Sequence, residues 1–578
     1  MKKSTVKRII GRVSGRKLLI GLCVLSSAVY VASTLAGPWI IGLAVDTMKG
    51  VGLGDLSGLL FYTLLLIGVY VLGNLFQWVL TYTSATVSYG MGKGLRHDMF
   101  AKLRRLPLRF FDRTPHGDVV SRFMTDVEQL CDGVSLTLAE LFTGIITIIG
   151  AIVLMAMTDV YMTIATVASA IVTYYVARFL TTHGQQSFKA QAADVGELGG
   201  FAEEQISGSR LVTLYNRQDL SEKTFGEING RLYQSGFKAQ FFSALVNPTT
   251  RLVNNLTYTL VGVLGCIFAL NGRLTVGGIT TFIMYINVFS KPFNSITSIL
   301  TQIQAGVASG ERIFSVLDET EEQPDTGLTA IDSGAVRGTV DFSHVDFSYT
   351  KDRELIRDLN LTVKPGEKVA IVGRTGAGKT TLVNLLMRFY DVDSGRICLD
   401  GNDISAVTRA SLRGSIGMVL QDTWLFEGSI RDNIRYGRPD ATDEEVVAAA
   451  KEAGAHSFIK RMEDGYDTVI NPAADTLSEG QKQLLTIARV MLCRHNVLIL
   501  DEATSSIDTR TEIKIGKAFD KLMKGKTSFI IAHRLSTIRE ADIILVMDRG
   551  HIVESGSHDQ LLKQGGYYAR LWGSQFES

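Results

Sequence analysis

The segment GRTGAGKT, Gly373 to Thr380, has the residue types and spacing of a loop that binds phosphate. It follows the short apolar run KVAIVG and leads into the helical run TLVNLLMRF, so the sequence predicts a loop between a strand and a helix. In that setting backbone N–H groups surround phosphate oxygens, and the start of the helix adds a partial positive charge. We predict that Lys379 reaches the β- and γ-phosphates of a nucleotide and that Thr380 binds Mg²⁺.

Two further apolar runs end in residues that suit the same chemistry. The run VLILDEATS ends in Asp501 and Glu502, where one carboxylate could hold Mg²⁺ and the second could orient an attacking water. The run TSFIIAHRL likewise places His533 at the end of a predicted strand. The alternatives are that the two acids only mark the point where a strand passes into a turn, and that the lone histidine has a structural role. The convergence of strand, loop and acids favours a site.

The two halves of the chain differ in how charge is distributed. With 578 residues the chain is too long for one ordinary domain. The formal net charge of +1 hides basic blocks between long uncharged runs in the first half and mixed acids and bases in the second. The five cysteines are scattered singly, without a CxxC pair or a His cluster, which indicates neither a zinc site, nor redox chemistry, nor a disulfide framework.

Six uncharged runs in the first 310 residues are long enough to cross a membrane, because spanning ~30 Å of hydrocarbon takes about 20 apolar helical residues. The predicted spans are 18–45, 57–88, 134–158, 160–181, 241–271 and 275–305. The third and fourth are joined only at residues 157–159, which predicts a tight hairpin. A cleavable signal peptide is the alternative for the first run, but its apolar stretch continues through Pro38.

Lysine and arginine predict the orientation of these spans. The N-terminus and the stretch GMGKGLRHDMFAKLRRLPLRFFDR are basic, whereas the loop between the first two spans carries only Lys49. We therefore expect a multi-pass protein of the cytoplasmic membrane, with both termini and the second half of the chain on the cytoplasmic side. Residues 89–133 and 182–240 are too long for turns and predict helices that continue out of the membrane.

Polar side chains inside the predicted spans are sparse and should face a bundle interior or a wet cavity, because they are costly in lipid. They are Asn74, Gln77, Asn247, Arg251, Asn254, Asn255, Asn287, Lys291, Asn294, Gln302 and Gln304. Hydrogen bonding between helices is the alternative role for any single one. The apolar walls suit amphipathic drugs, lipids or peptides alike, and Arg251 and Lys291 could favour an anionic group or pair internally.

A soluble domain begins near residue 320, where acids, Pro and Gly interrupt the helical pattern. The segment GTVDFSHVDFSY then alternates in the manner of strands. We therefore divide the chain into a transmembrane domain, 1–318, and a nucleotide-binding domain, 319–578.

The complete set of motifs resembles the ATP-binding cassette (ABC) family. Tyr349, GRTGAGKT, Gln421 in VLQDTWLF, LSEGQ, LILDEATSSID and His533 occur in the order and approximate spacing of an ABC nucleotide-binding domain. With six spans before it, the chain resembles an exporter half-transporter of the type IV fold over nearly its whole length. The implied fold is an α-helical transmembrane domain with long cytoplasmic helical extensions, followed by an α/β P-loop domain.

The resemblance implies a role for each matched residue. Tyr349 would stack on adenine, Glu502 would polarise the attacking water, and His533 would contact the γ-phosphate. Thr380, Gln421 and Asp501 would form the Mg²⁺ site. The implied ATP-binding residues are Tyr349, Gly373, Arg374, Thr375, Gly376, Ala377, Gly378, Lys379, Thr380, Thr381, Gln421, Ser478, Gly480 and Gln481. The segments FFDRTPHGDVVSRF and VTLYNRQDLSEKTF resemble the tips of the two extensions, and SSID resembles the loop that crosses to a partner cassette.

The family sandwiches ATP between one cassette's phosphate loop and the other's LSGGQ-like signature, so the resemblance implies a second half-transporter. This chain keeps Ser478 and Gly480 but has Glu479 where glycine is usual. A carboxylate that faces phosphate would weaken that site, whereas one in the first turn of a helix would interact favourably with the helix dipole. The preceding INPAAD also departs from the usual pattern.

We therefore expect ATP-driven export of amphipathic small molecules by alternating access. ATP and Mg²⁺ are the expected cofactors, and the chain is expected to be one subunit of a heterodimer with one hydrolytic and one weak site. The expected partners are a different half-transporter, the lipid bilayer and the substrate, with no nucleic acid. A homodimeric exporter, an importer on an exporter-like fold and an ATP-gated channel are the alternatives.

Overall fold

The computed structural model of the chain describes residues 3–48, 56–350, 355–421, 423–471, 477–501, 508–532 and 535–576. These residues form two compact units. The first consists of Met1–Arg104 and Pro115–Glu319, and the second of Arg105–Thr114 and Thr320–Ser578.

The described part of the first unit is built from α-helices. The first eleven helices of the chain are α1 Lys3–Ser14, α2 Lys17–Asp46, α3 Leu56–Leu103, α4 Leu108–Arg113, α5 His116–Ser121, α6 Val127–Leu136, α7 Phe142–Thr158, α8 Val160–Ser207, α9 Ser209–Leu214, α10 Gln218–Leu270 and α11 Val276–Leu317. Of these, α4 belongs to the second unit. Two π-helical turns, Arg122–Asp126 and Thr137–Leu141, join α5, α6 and α7 into one continuous helical rod.

Five helical segments of the described chain are long and apolar enough to cross a membrane. They are Lys17–Asp46, Leu56–Leu103, His116–Thr158, Val160–Ser207 and Gln218–Leu270. The predicted helical transmembrane domain is confirmed, and five of its six predicted spans match these segments. The run 275–305 does fold as a helix, α11, but Asn287, Lys291 and Pro292 lower its apolar content below that of the other five.

The long helices confirm that the predicted extensions continue from the spans. α3 runs on to Leu103, α8 to Ser207, and α10 begins at Gln218, well before its apolar part. The predicted hairpin is also present, because α7 ends at Thr158 and α8 begins at Val160. Asp159 caps α8 by accepting hydrogen bonds from the backbone N–H groups of Tyr161 (2.8 Å) and Met162 (3.0 Å).

The described part of the second unit contains a four-stranded antiparallel sheet, a six-stranded mostly parallel sheet and a two-stranded pair. The strands are β1 Val340–Phe347, β2 Ile356–Val363, β3 Lys368–Val372, β4 Ser394–Leu399, β5 Asn402–Asp403, β6 Ile416–Val419, β7 Gly428–Ser429, β8 Val469–Ile470, β9 Val497–Asp501, β10 Thr527–Ile531, β11 Ile543–Asp548 and β12 His551–Gly556. The antiparallel sheet has the order β2-β1-β4-β5, the larger sheet has the order β12-β11-β3-β10-β9-β6, and the two-stranded pair is β7 with β8. Within the larger sheet only β12 runs antiparallel to its neighbour.

Helices cover the larger sheet. They are α12 Lys379–Leu386, α13 Arg409–Ser415, α14 Ile430–Arg435, α15 Asp443–Glu452, α16 His456–Ile459, α17 Glu479–Cys493, α18 Thr509–Met523, α19 Leu535–Arg539, α20 His558–Gln564 and α21 Tyr567–Phe576. All five residues of β9 and all five of β10 are buried, as expected for central parallel strands covered on both faces. One core cluster lies on each side of this sheet.

Candidate functional site

The candidate site lies at one edge of the parallel sheet, where the carboxyl ends of four strands meet. Ile371 of β3 pairs with Ile531 of β10, and Ile531 pairs with Asp501 of β9. On the other side of β9, Leu500 pairs with Val419 of β6. The phosphate loop, Asp501 and the segment that contains Gln421 therefore leave the sheet at the same edge, which is where open α/β sheets bind ligands.

The phosphate loop has a backbone conformation that requires glycine. Gly373, Gly376 and Gly378 have φ of 154°, 81° and 101°. A Cβ at Gly373 would stand 2.2 Å from the carbonyl oxygen of Met547, so no larger residue fits there. The loop ends at the first residue of α12, Lys379, whose Nζ donates hydrogen bonds to the carbonyl oxygens of Gly373 (2.7 Å) and Arg374 (3.1 Å).

The environment of Lys379 and Thr380 suits a magnesium nucleotide. Burial lowers the pKa of Lys379, and the nearby carboxylate of Asp501 opposes that shift. Asp501 itself is 8% exposed, whereas Thr380 at the start of α12 is exposed. The Asp501 carboxylate and the Thr380 hydroxyl are oxygen donors of the kind that Mg²⁺ takes alongside phosphate oxygens.

Tyr349, the predicted adenine-stacking residue, lies beside the phosphate loop in a cluster of aromatic rings. Its hydroxyl donates a hydrogen bond to Thr381 Oγ1 at 3.2 Å. The ring of Tyr390 meets it edge-on with centroids 4.9 Å apart, and Phe347 does the same from another side. The sequence analysis missed Tyr390. It follows α12 in the chain, and nothing in its local pattern distinguishes it from an ordinary packing residue.

The segment Arg105–Thr114 also reaches this aromatic cluster within the second unit. Arg109 and Arg113 donate hydrogen bonds to the backbone carbonyl of Tyr349, the latter at 3.3 Å. The hydroxyl of Tyr390 donates to the carboxylate of Asp112, and burial together with Asp112 raises the pKa of Tyr390. The segment FFDRTPHGDVVSRF, predicted as a single tip, is thus divided at Thr114 between the two units.

The signature segment forms the start of α17, which packs against α14, α15 and α18. Ser478 is the N-cap: its Oγ accepts from the backbone N–H of Gln481, whose side-chain oxygen accepts from the backbone N–H of Ser478 at 3.0 Å. Gly480 is buried in the first turn. The structure therefore presents Ser478 at an exposed helix end and leaves the Gln481 side chain occupied by the capping box.

Glu479 is the first residue of α17 and bonds to its own cassette. One carboxylate oxygen accepts a hydrogen bond from Lys482 Nζ at 2.8 Å, and the other accepts from Thr423 Oγ1 at 3.3 Å. The Glu479 side chain is 57% exposed and that of Lys482 is 19% exposed. Of the two roles that the sequence allowed, the structure shows a carboxylate in the first helical turn with a neighbouring ammonium against its charge.

Several predicted site positions lie outside the described residues. They are Glu502, His533, most of the SSID segment and most of INPAAD. The other predicted residues of the phosphate loop follow the loop path, with Ala377 buried and Arg374, Thr375 and Gly376 exposed. Gln421 is exposed two residues after the end of β6. The structure thus brings the phosphate loop, Tyr349 and Asp501 together and places Ser478 and Gly480 on the separate end of α17.

Comparison with known proteins gives two family matches along the chain. Residues 20–293 match the family described as ABC transporter transmembrane region, and residues 356–505 match the family described as ABC transporter. The chain is 41% identical over 575 residues to the uncharacterized ABC transporter ATP-binding protein YfiC of Bacillus subtilis, covering 100% of this chain and 95% of that protein. It is 45% identical over 477 residues to the fatty acid ABC transporter ATP-binding/permease protein of Mycobacterium bovis, covering 82% of this chain and 75% of that protein.

A solved structure has the same fold over the full length. It is a bacterial Atm1-family ABC exporter with ATP bound, with a TM-score of 0.76 and 30% sequence identity, covering 100% of this chain and 99% of that one. A phosphate loop at the edge of a parallel sheet, a signature helix and membrane-spanning helices on one chain are the parts that such a transporter needs. The chain therefore belongs to the ABC transporter family, and it has the exporter fold with a helical transmembrane region followed by an ATP-binding domain that couples ATP hydrolysis to transport.

Proposed function

We propose that this chain is one half of an ATP-driven exporter of amphipathic small molecules that works by alternating access in the cytoplasmic membrane. The observation that carries the proposal is the single phosphate loop and single signature helix, joined on one chain to apolar helices of membrane-spanning length. The domain boundary near residue 319 and the cytoplasmic placement of the cassette are part of this proposal. The basic N-terminus and the basic end of α3 support that orientation.

The proposed ATP site uses the residues at the sheet edge. Lys379 and the backbone of Gly373–Thr381 bind phosphate, Thr380, Gln421 and Asp501 hold Mg²⁺, and Tyr349 stacks on adenine. Bound Mg²⁺ would offset the negative charge of the phosphates. Glu502 orients and deprotonates the attacking water, and His533 contacts the terminal phosphate.

The second half of each ATP site comes from a partner cassette, because Ser478 and Gly480 stand on α17, away from the phosphate loop of their own chain. Our first proposal is a heterodimer, in which this chain's phosphate loop forms the hydrolytic site with an intact partner signature. This chain's LSEGQ then forms the weaker site. A homodimer is the second candidate, and the ion pair between Glu479 and Lys482 favours it because the ammonium offsets the carboxylate charge.

Co-purification distinguishes these assemblies. The tagged chain is expressed with its neighbouring genes, and the ATPase activity of the purified complex is compared with that of the chain alone. A heterodimer predicts that a second half-transporter accompanies the chain and that activity survives Ser478→Ala here but not the matching change in the partner. An active homodimer that Ser478→Ala abolishes would overturn the heterodimer.

Transport direction and substrate class need a vesicle assay. The fatty acid transporter among the relatives supports an amphipathic substrate for this chain. ATP-dependent accumulation of an amphiphile in inside-out vesicles is the expected result for an exporter. Accumulation only in right-side-out vesicles would indicate an importer, and ion conductance without stoichiometric substrate movement would indicate a channel.

A further inference from the structure

A cavity of about 470 Å³ lies within the first unit, between the N-terminal helix α1 and parts of α2, α6, α7 and α11. Pockets that bind small molecules usually have volumes of roughly 300–1,000 Å³. The lining is almost entirely apolar, and its share from α1 consists of Val6, Ile9, Ile10, Val13 and Ser14. An apolar cavity of this size favours an apolar ligand, because water inside it would find few hydrogen-bonding partners.

The polar side chains in the lining have no hydrogen left to donate to a ligand. Four of the described lining residues carry such a group, and each donates within the protein: Ser14 to the Gly11 carbonyl (2.9 Å), Cys23 to the Thr83 hydroxyl (3.2 Å), Ser27 to the Thr143 hydroxyl (3.1 Å) and Thr137 to the Gly133 carbonyl (2.7 Å). Thr143 donates its own hydrogen to the carbonyl oxygen of Ala139, so Ser27 is the donor in its pair. A polar ligand group would therefore lose hydrogen bonds to water on entering this cavity, whereas a hydrocarbon chain has none to lose.

The cavity has the depth of one leaflet of a bilayer. Along α2 it is lined from Ile20 to Ser27, and α2 begins at Lys17. Lys17 and Ser27 are ten residues apart in the helix, which corresponds to ~15 Å, or half of a hydrocarbon layer ~30 Å thick. The hydrogen bond between Ser27 and Thr143 marks the same depth on α7, where the lining continues to Ile146. One acyl chain of a membrane lipid therefore fits the cavity lengthwise.

One side of the cavity is open. Ile10, Val24, Phe142 and Ile146 line it, and these side chains are 60%, 63%, 54% and 43% exposed. They belong to α1, α2 and α7, and the last two helices lie in segments that are apolar enough to cross a membrane. The opening is therefore at the level where lipid chains lie.

The charge at the N-terminal end of the cavity is positive. Residues 1–17 contain seven lysines and arginines and neither aspartate nor glutamate. Two of the arginines hold α1 in place, because Arg8 pairs with Asp318 and Arg12 with Asp98, each at 2.6 Å. The helix α1 is therefore fixed beside the cavity, with apolar residues in the lining and basic residues next to them along the helix.

Two lysines adjoin residues of the lining. Lys17 precedes Ile20 by three positions and Lys7 precedes Ile10 by three, so each lysine shares a helix face with a residue that lines the cavity. Both lysines are exposed, and neither forms a side-chain ion pair among the described residues. Their ammonium groups are available to an anionic head group.

We propose that this cavity binds one acyl chain of an anionic phospholipid from the surrounding membrane, with the lipid head group at Lys7 and Lys17. An amphipathic basic helix such as α1 lies at a membrane surface and attracts anionic lipids. The lining selects hydrocarbon, the depth matches one leaflet, and the two lysines select a negative head group. This inference rests on the proposed placement of the chain in the cytoplasmic membrane, with a cytoplasmic N-terminus, and does not require export.

Photolabelling of the assembled transporter tests where the chain lies. The transporter, purified with whichever partner it requires, is reconstituted in phosphatidylcholine vesicles with phosphatidylglycerol that carries a diazirine at the end of one acyl chain. Labelled residues are then identified by mass spectrometry. We expect the label to concentrate around Ser27 and Ile146, and a phosphatidylcholine probe with the same chains to label them about fivefold less.

Two other labelling patterns would overturn the proposal. A label spread evenly over exposed apolar residues such as Leu64 and Val71 of α3 would show only the ordinary lipid around a membrane protein. Labelled α3 with an unlabelled cavity would show that something else fills it, such as a helix of the second subunit.

A filling variant tests the cavity itself. Val24→Trp adds an indole at the open side and should abolish labelling around Ser27 by both probes. Leu25→Trp is the matched control, since Leu25 is the next residue of α2, is 56% exposed and lies outside the lining. It should leave the labelling unchanged. Equal labelling in the two variants would mean that the chain lies elsewhere.

Charge variants test the head group. Lys7→Gln and Lys17→Gln should each reduce labelling by the phosphatidylglycerol probe roughly fivefold, with little change for the phosphatidylcholine probe. Lys93→Gln, at an exposed position of α3 outside the lining, is the matched control and should change neither. Equal losses in all three variants would show general attraction to a basic surface and overturn the proposal.

The labelling is measured without ATP, so its outcome is separate from that of the proposed function. If the cavity is labelled but inside-out vesicles accumulate no amphiphile, the proposed export is wrong and the lipid site stands. If export is normal and the cavity is unlabelled, the lipid site is wrong and the export stands.

Discussion

In the proposed dimer, the partner cassette's phosphate loop holds ATP against the start of the signature helix α17. Replacing Lys482 by methionine should leave the negative charge of Glu479 beside this ATP without its neighbouring ammonium. The structure places Lys482 Nζ 2.8 Å from the Glu479 carboxylate in the first turn of α17. A bare carboxylate ~6 Å from a phosphate charge costs on the order of 2.8 kcal/mol at an effective dielectric of ~20. An ammonium ~8 Å from the same phosphate returns about 2.1 kcal/mol, which leaves a net cost of about 0.7 kcal/mol.

These magnitudes predict opposite effects for two variants. Lys482→Met should raise the ATP concentration for half-maximal binding by roughly tenfold to thirtyfold, because the offsetting ~2 kcal/mol is lost. Glu479→Gln should lower it by up to about a hundredfold, because the ~2.8 kcal/mol of repulsion is lost while the ammonium remains. The double variant should lower it by only about threefold, because it removes the net cost of about 0.7 kcal/mol. Because Glu479 is more than half exposed, solvent screening makes these values upper limits.

The measurement is displacement of a fluorescent ATP analogue from the assembled transporter, together with the KM for ATP hydrolysis. Lys451→Met, at the end of the neighbouring α15, is the matched control and should change neither value. A double variant that gains as much affinity for ATP as Glu479→Gln would show that the carboxylate faces phosphate without its lysine. An unchanged affinity in Lys482→Met would refute the offset by Lys482.

Three further predictions concern hydrolysis and stability. Glu502→Gln should retain MgATP binding and lower hydrolysis by at least about a hundredfold, measured by phosphate release, and wild-type turnover would sink the assignment. Burial alone would raise the pKa of Asp400, but hydrogen bonds from the backbone N–H groups of residues 337–339 lower it on balance. The Asp400 carboxylate therefore stabilises the folded protein fully above its unfolded pKa, and this stabilisation is lost as pH falls through its folded pKa. Asp400→Asn should lower the Tm at pH 7 and weaken the fall of Tm in acid. An unchanged Tm would contradict this prediction. Arg312→Met leaves the buried Asp126 without its two hydrogen bonds from α11. It should therefore lower the free energy of unfolding of the solubilised protein by about 1–3 kcal/mol. The ion pair of Arg105 is exposed, so Arg105→Met should change that free energy by less than ~0.5 kcal/mol. Equal losses for the two arginines would refute the role of burial.

Much of the fold follows from local patterns in the sequence. The run before Gly373 and the runs that end at Asp501 and Ile531 predicted three strands, and all three are parallel neighbours in one sheet. The first five apolar runs each match a helix of spanning length. The sixth run was predicted on its overall apolar character, but Asn287, Lys291 and Pro292 fall within its central turns and reduce its mean hydropathy.

The contacts around the site follow less directly from sequence. Tyr390 and the segment that contains Arg109 approach Tyr349 from 41 and 240 residues away along the chain, and no spacing rule connects them. The partner of Glu479 in the helix, Lys482, is three residues away and could have been inferred as a helical neighbour. Thr423 lies 56 residues away and could not.

The sequence by itself determined the chemistry of this protein: a loop whose glycines and lysine suit phosphate, acids at strand ends, and apolar runs long enough for a membrane. Those features depend on residue type and local spacing, which the backbone periods of strand and helix translate directly into structure. The tertiary structure alone decided where charges point. It turned Glu479 toward Lys482 and Thr423, and it brought the segment Arg105–Thr114 into contact with Tyr349. Electrostatic interactions fall off over a few ångströms, so their sign and size depend on distances that only packing between remote segments determines.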